Sequence, residues 1–357
     1  MVTRMTSGGE TRLFGRCTRG IEGMLAAEVQ ERLGGEVLEV GHRQVQFQTG
    51  SDLRRVLDLR CADDVFLSCG VVEGVSRERA SLNRLARGLS SLDLQPGLQT
   101  VAGIREAEPT RFDVVCSFLG QRNYNRFEAE GAAAGEIGKQ VQLPRVSLER
   151  RRDADISWRI HVDGEQALVG LRIAAQPLHR RSWRIHGQPG ALHPPVAAAM
   201  ALLARPESGA TVLDPLCGSG TLCVEAGLFE DTAHVVGGDA SAEALRIAGE
   251  HARLAGTSFR GVVADGARLP LADDGVDIVL CNPAWGRSVA LRGELGRDPD
   301  LLWQEIARVL RSDGKALVLM ETQVEAAVLD SAGLQSINRL AIRVSGRWAT
   351  LNTVVAG

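Results

Sequence analysis

Lysine is almost missing from this 357-residue sequence: Lys139 and Lys315 are the only two, and arginine carries nearly all the positive charge. Genomic base composition accounts for such a bias, although the guanidinium is also the better fork for phosphate. No stretch approaches the roughly 18 consecutive apolar residues of a membrane span. The opening MVTRMTSGGETRLFGRC lacks the apolar core of a signal peptide. The seven cysteines (17, 61, 69, 116, 217, 223 and 281) are odd in number and form no CxxC pair. That argues against a disulfide framework or a zinc site and for free thiols in a reducing cytoplasm. Internal repeats and low-complexity tracts are also absent. What remains, 44% hydrophobic residues and a net charge of −3, describes a soluble globular chain long enough for two or three domains.

Charge is unevenly placed. Residues 1–190 hold 27 Arg and Lys against 24 Asp and Glu, whereas residues 191–357 hold 14 against 20. Within 143–190 the count is 9 against 5, including Arg150, Arg151, Arg152, Arg180, Arg181 and Arg184. A charge run is often only a solvated face. The asymmetry nevertheless fits a front part that touches an anionic polymer and a back part with another task.

From residue 191 the pattern alternates between amphipathic helix and short apolar strand. PPVAAAMALLA leads into TVLDPL, a Gly-rich turn and TLCVEAGLF; VVGGD precedes SAEALRIAGEHARLAG, with Ser241 or Asp239 as its cap. FRGVVAD, VDIVLCN, PDLLWQEIARVL and KALVLMET follow, and QSINRLAIRV and RWATLNTVVAG close the chain. The alternation predicts a mostly parallel, doubly wound α/β sheet, whose ligands sit at the carboxyl ends of the strands. Polar residues fall at four successive ends: Asp214, Asp239, Asp265 and Asn282. Asp239 lies 25 residues beyond Asp214, where a ribose-binding acid is expected. Singly, each could be a cap or a turn residue; together they point to a shared nucleoside-type ligand. The loop DPLCGSGT lacks the Lys and Ser/Thr pair of a P-loop and departs from GxGxxG, which argues against a triphosphate or pyrophosphate.

With DPLCGSGT as its first motif and NPAW as its fourth, the sequence resembles class I S-adenosylmethionine-dependent methyltransferases. The resemblance implies that Asp214, Pro215, Cys217, Gly218, Gly220 and Thr221 surround the methionine part of the cofactor. Asp239 would take the ribose hydroxyls and Asp265 the adenine amino group. Asn282 would touch both cofactor and acceptor. Its side-chain oxygen and the Pro283 carbonyl would accept hydrogen bonds from an exocyclic amine, favouring a more nucleophilic nitrogen, while Trp285 stacks on a flipped-out base. Ala284 departs from the usual Asn/Asp-Pro-Pro-aromatic pattern and removes a proline that would stiffen the loop.

The front half carries an apolar start at 12–29, a strand-like segment at 42–50, and a strand, turn and helix over 111–140. Residues 156–173 read as a hairpin turning at Asp163-Gly164. The basic stretch QPLHRRSWRIHGQPG reads as a linker. With PLHRRSWR directly before the catalytic part, the whole resembles the THUMP-domain RNA methyltransferases, closest to the tRNA guanine-N2 group. That implies a ferredoxin-like domain at 1–75, THUMP at 76–175, a linker at 176–190 and a Rossmann-like methyltransferase domain at 191–357. The partner implied is RNA, in particular tRNA, with Arg150, Arg151, Arg180, Arg181 and Arg184 as candidate RNA contacts, although Arg180, Arg181 and Arg184 fit interdomain packing equally well; the sequence leaves oligomeric state open.

Three readings therefore stand: guanine-N2 methylation of tRNA; another acceptor (rRNA, adenine N6 or a small-molecule amine); and an RNA-binding protein with a decayed catalytic loop. No metal is expected. His179, His186 and His193 are spaced by seven, but Pro177, Gly187, Pro189 and Gly190 prevent one helix from aligning them. Tyr124, the sole tyrosine, is expected to pack or to hydrogen-bond to backbone rather than to stack on RNA.

Overall fold

The computed structural model describes residues 6–7, 10–283, 293–321 and 326–357. The chain divides into two compact units, one of Met1–Arg16 with Ala26–Leu178 and one of Cys17–Leu25 with His179–Gly357. From Thr6 to Arg172 the elements are β1 (Thr6–Ser7), β2 (Glu10–Arg16), α1 (Glu22–Leu33), β3 (Glu36–Gly41), β4 (Gln44–Thr49), β5 (Asp64–Glu73), α2 (Ser81–Ser90), α3 (Gln95–Arg105), β6 (Phe112–Phe118), α4 (Arg126–Val141), β7 (Ile156–Asp163) and β8 (Gln166–Arg172). The strands form one mixed sheet in the order β3-β4-β2-β5-β8-β7-β6, with β1 on β2 and the β6–β7 pair parallel.

Local chemistry explains these elements. Asn125 caps α4 by accepting from the Phe127 and Glu128 amides, while the Glu128 carboxylate accepts the Asn125 amide, a reciprocal box that fixes the helix start. Asp163 pairs with Gln166 across the β7–β8 hairpin, and Gly164 takes the positive φ (+54°) that its tight turn demands. At the sheet's centre Phe14 stacks on Phe66 with centroids 5.0 Å apart. A Cβ on Gly170 would sit 2.3 Å from the Phe14 ring, so only glycine fits there. Tyr124 is buried and donates to the Ser76 carbonyl at 3.2 Å, a packing residue as expected.

The second unit runs α5 (Pro194–Ala204), β9 (Thr211–Asp214), α6 (Thr221–Phe229), β10 (His234–Asp239), α7 (Ala242–Ala255), β11 (Arg260–Val263), β12 (Val276–Cys281), α8 (Leu301–Val309), β13 (Leu310–Met320), α9 (Ala326–Ser331), β14 (Leu334–Val344) and β15 (Arg347–Ala356). Its sheet order is β11-β10-β9-β12-β13-β15-β14. The first five strands are parallel, and β15 inserts antiparallel between β13 and β14. This is the doubly wound α/β arrangement expected, with the strand order reversing between β9 and β12. Strand β13 begins at Leu310, five residues before the apolar run suggests, because α8 passes into it directly. No helix among the described residues is long and apolar enough to cross a membrane. All seven cysteines are buried and free.

Candidate active site

The carboxyl ends of β9, β10, β11 and β12 open into one cavity of about 900 Å³, the size of a small-molecule site. Asp214, Asp239, Asp265 and Asn282 all line it, so the four strand-end residues picked out from sequence do share one space.

The three aspartates are held alike. Each accepts the backbone N–H two residues on: Asp214 from Leu216 at 3.1 Å, Asp239 from Ser241 at 2.7 Å and Asp265 from Ala267 at 3.1 Å. Such turns aim a carboxylate rigidly out of a strand end. The second oxygen of Asp239 accepts the Gly218 amide at 3.0 Å, tying β10 to the Gly-rich loop. That of Asp265 accepts the Glu294 amide at 2.8 Å, anchoring the chain where it returns to the cavity. The cap of α7 is Ser241, which accepts from Ala244, and Asp239 is left to the loop and the cavity.

Asp214 is enclosed. Desolvation, with the Asp239 charge adding to it, pushes its carboxyl up to about 8 from a usual 3.8. A pKa raised on folding contributes stability that is complete below the unfolded value and is lost as pH rises through the folded one. Between pH 4 and 8 the unfolding free energy of wild type should therefore fall more steeply than that of Asp214→Asn. Denaturant titrations across that window, showing a constant difference between the two proteins, would contradict the buried neutral carboxyl.

The Gly-rich loop is shaped by two positive-φ glycines, Gly218 (+51°) and Gly220 (+76°). A Cβ on Gly220 would lie 2.7 Å from that of Ala248, so the glycine also lets α6 approach α7. Helix α6 starts at Thr221, with its free amides and positive dipole end beside the cavity. Ser219 Oγ and Thr221 Oγ1 are buried in this wall without a hydrogen-bond partner among the described residues. Buried hydroxyls without partners are uncommon and mark a place for a polar ligand group. Carboxylates for hydroxyls or an amine, together with hydroxyls and helix amides for a carboxylate, fit a nucleoside joined to an amino acid. Of the residues expected around the methionine part, Asp214, Cys217, Gly218 and Thr221 line the cavity, and Pro215 and Gly220 do not.

His251 and Ser219 were not picked out from sequence. His251 lies fully buried on α7; the His186 amide donates to its Nε2 at 3.2 Å, which leaves Nδ1–H to donate to the Ser219 carbonyl at 2.9 Å. Burial lowers its pKa, keeping the ring neutral as a clamp on the loop. Only its position on the inward stripe of an amphipathic helix could have flagged it.

The structure packs the basic stretch before α5 against the helices of the second unit. Arg181 is not poised for phosphate: its side chain, 8% exposed, pairs at 2.9 Å with fully buried Glu225 of α6. Trp183 packs on Val224 and Ala252. Residues 188–192 line the cavity, so the segment read as a linker docks on α6 and α7 and then forms wall. Arg184 is half-buried, with burial lowering its pKa, and Arg180 is exposed. In the first unit Arg151 is committed to buried Glu130, whereas Arg150 is exposed beside Asp153. Asn282 is half-buried and Pro283 buried at the cavity; Ala284 and Trp285 lie outside the described residues.

Comparison with known proteins agrees with this geometry. A family model described as "RMKL-like, methyltransferase domain" matches residues 181–349. The chain is 31% identical over 223 residues to the Bos taurus U6 snRNA (guanine-N(2))-methyltransferase THUMPD2, a match covering 61% of this chain and 43% of that protein. It is 36% identical over 143 residues to the tRNA (guanine(6)-N2)-methyltransferase of Thermus thermophilus, covering 40% of this chain and 42% of that one. The matches thus span less than half the length of either relative. Among solved structures, TrmN from Thermus thermophilus superposes with a TM-score of 0.78 at 25% identity, covering 97% of this chain and 99% of that one.

Proposed function

We propose that this chain, whose residues 181–349 are an RMKL-like methyltransferase domain, is an S-adenosylmethionine-dependent RNA methyltransferase acting on the exocyclic N2 amine of a guanosine, in a tRNA. The observation that carries this reading is the convergence of Asp214, Asp239, Asp265 and Asn282 on one cavity whose wall also holds two hydroxyls without a partner among the described residues. The cofactor, when bound, supplies an electrophilic methyl group on its sulfonium. Asp239 accepts from the ribose hydroxyls and Asp265 from the adenine end. Ser219, Thr221 and the first amides of α6 receive the methionine carboxylate. The Asn282 side-chain oxygen and the Pro283 carbonyl accept hydrogen bonds from the target amine and hold its nitrogen in line with the methyl. Alignment of this kind supplies roughly 7–11 kcal/mol without metal or covalent intermediate. Trp285 stacks on the flipped base.

In this reading residues 1–75 are a ferredoxin-like part, 76–175 a THUMP part and 176–190 the connection to the 191–357 catalytic part. Exposed Arg150 supports a front unit that touches RNA, and the seven free thiols fit a reducing cytoplasm. The two relatives act on different RNAs, U6 snRNA and tRNA, so the RNA species is the finer question. Incubation with labelled cofactor and total RNA, followed by nucleoside analysis, is expected to place label in N2-methylguanosine of tRNA. Label in another nucleoside would move the acceptor, and binding without transfer would leave only an RNA-binding protein.

Asp239→Ala should weaken cofactor binding by about 10- to 150-fold, the equivalent of one charge-assisted hydrogen bond. Because Asp239 also holds the Gly218 amide, Asp239→Asn, which keeps an acceptor oxygen, should lose less. Calorimetry giving wild-type affinity for a folded Asp239→Ala protein would remove Asp239 from the ribose.

A further inference from the structure

The β14–β15 hairpin reaches the same cavity by another route: Val344, Ser345 and Arg347 at its tip line the wall. Its charge is anomalous. Residues 191–357 carry more acid than base, yet residues 333–357 hold three arginines (339, 343 and 347) and no Asp or Glu. Strand register sorts them. Ile342 and Val344 face the buried side with Ala349 and Leu351, whereas Arg343 pairs directly with Trp348 and Arg339 lies four residues along the same outward face. Trp348 is 47% exposed. Arg19 joins that face from the same compact unit: its guanidinium lies 4.8 Å from the Trp348 ring centroid. The placement is enforced, because the Arg19 carbonyl accepts the Arg343 amide at 2.9 Å. Gly20 (φ +101°) also approaches so closely that a Cβ would lie 2.2 Å from the Ala341 carbonyl oxygen.

A structural cation–π pair needs one arginine. Here Arg19 lies over the exposed indole, Arg343 stands opposite it in register and Arg339 lies four residues along the same face, and among the described residues none of the three pairs with a carboxylate on this face: Arg339 reaches Ser336 Oγ at 3.4 Å and Arg343 the Gly346 carbonyl at 3.3 Å. Only Arg347, at the tip, has an acid, Glu321 at 3.0 Å. Uncompensated like charges around a flat apolar ring are costly alone and complementary to a strand that offers phosphates and bases together.

We propose that the outer face of this hairpin is the platform for the RNA strand adjoining the target nucleotide, with Trp348 stacking on a neighbouring base and Arg19, Arg339 and Arg343 meeting phosphates. This rests on the RNA-modifying reading of the cavity and adds where the substrate lies. The test uses the full-length protein with a fluorescent single-stranded RNA and with tRNA, measuring affinity against salt, methyl transfer, and cofactor affinity by calorimetry. Trp348→Ala is expected to weaken RNA binding about 5- to 150-fold, as for loss of one stacked base, and Trp348→Phe only mildly. The Arg339→Ala/Arg343→Ala double variant should flatten the salt dependence of single-strand binding by about 1.4 in log–log slope, for two phosphates lost. Cofactor affinity should hold in all three, since none of these side chains lines the cavity. Wild-type RNA affinity and salt slope in folded variants would overturn the platform while leaving the methyltransferase reading intact; an acidic protein partner would give that result. RNA binding that depends on Trp348 in a protein that methylates no RNA would keep the platform and overturn the function. A wild-type chain that neither binds nor methylates RNA would overturn both.

Discussion

Asn282→Ala is expected to lower turnover by roughly 10²-fold or more, the loss typical of one preorganised polar contact at a reacting centre, with far less effect on cofactor affinity. The asymmetry follows from where the side chain stands. Asn282 follows β12 at the cavity, one residue before buried Pro283, while the proposed cofactor contacts fall to other groups: Asp239, Asp265, and the α6 wall with its two hydroxyls. A contact that matters chiefly at the transferring nitrogen shows in kcat rather than in ground-state binding. Single-turnover methyl transfer, combined with cofactor calorimetry on the same preparation, separates the two. Equal losses in both would mean that Asn282 serves the cofactor and that the acceptor amine is held elsewhere.

The catalytic unit was legible because its signals are local. Buried parallel strands read as near-continuous apolar runs, such as VDIVLC, and each stops on a polar residue that the fold carries to one edge. The order β11-β10-β9-β12 then makes neighbours of residues distant in sequence. The Asp163-Gly164 hairpin was legible for the same reason, since a tight turn is a short-range device. What sequence concealed was long-range or lacked a period. Strand β5 (DVFLSCGVVE) is buried on both faces and shows no alternation, and β3 (EVLEVG) leaves its apolar Leu38 and Val40 exposed, so they mark no buried face. His251 acts on Ser219, 32 residues away, through a contact that only the α6–α7 packing creates. The hairpin platform was hidden because Arg19 lies more than three hundred residues before Trp348. Proline and glycine around PLHRRSWR correctly denied it a helix but said nothing of what it packs against.

The packing of this stretch leads to the largest expected effect on stability. Arg181→Ala should destabilise the protein by about 3–5 kcal/mol, because it removes one member of a buried ion pair. The guanidinium is 8% exposed and the Glu225 carboxylate fully buried, 2.9 Å apart on a helix whose first residue begins at the Gly-rich loop. Phosphate contact predicts the reverse: loss of RNA affinity, steepest at low salt, in a protein that unfolds like wild type. Urea titration and RNA binding on one variant therefore separate the two roles. Removing both partners sharpens the comparison. Arg181→Met combined with Glu225→Leu replaces the pair by apolar groups of similar length, and such replacements are often neutral or stabilising by about 1–4 kcal/mol. Recovery of stability in the double variant would show that the cost in Arg181→Ala comes from the abandoned carboxylate. If Arg181→Ala unfolds within about 1 kcal/mol of wild type, below the cost of breaking a buried pair, and loses RNA, the arginine belongs to the substrate after all.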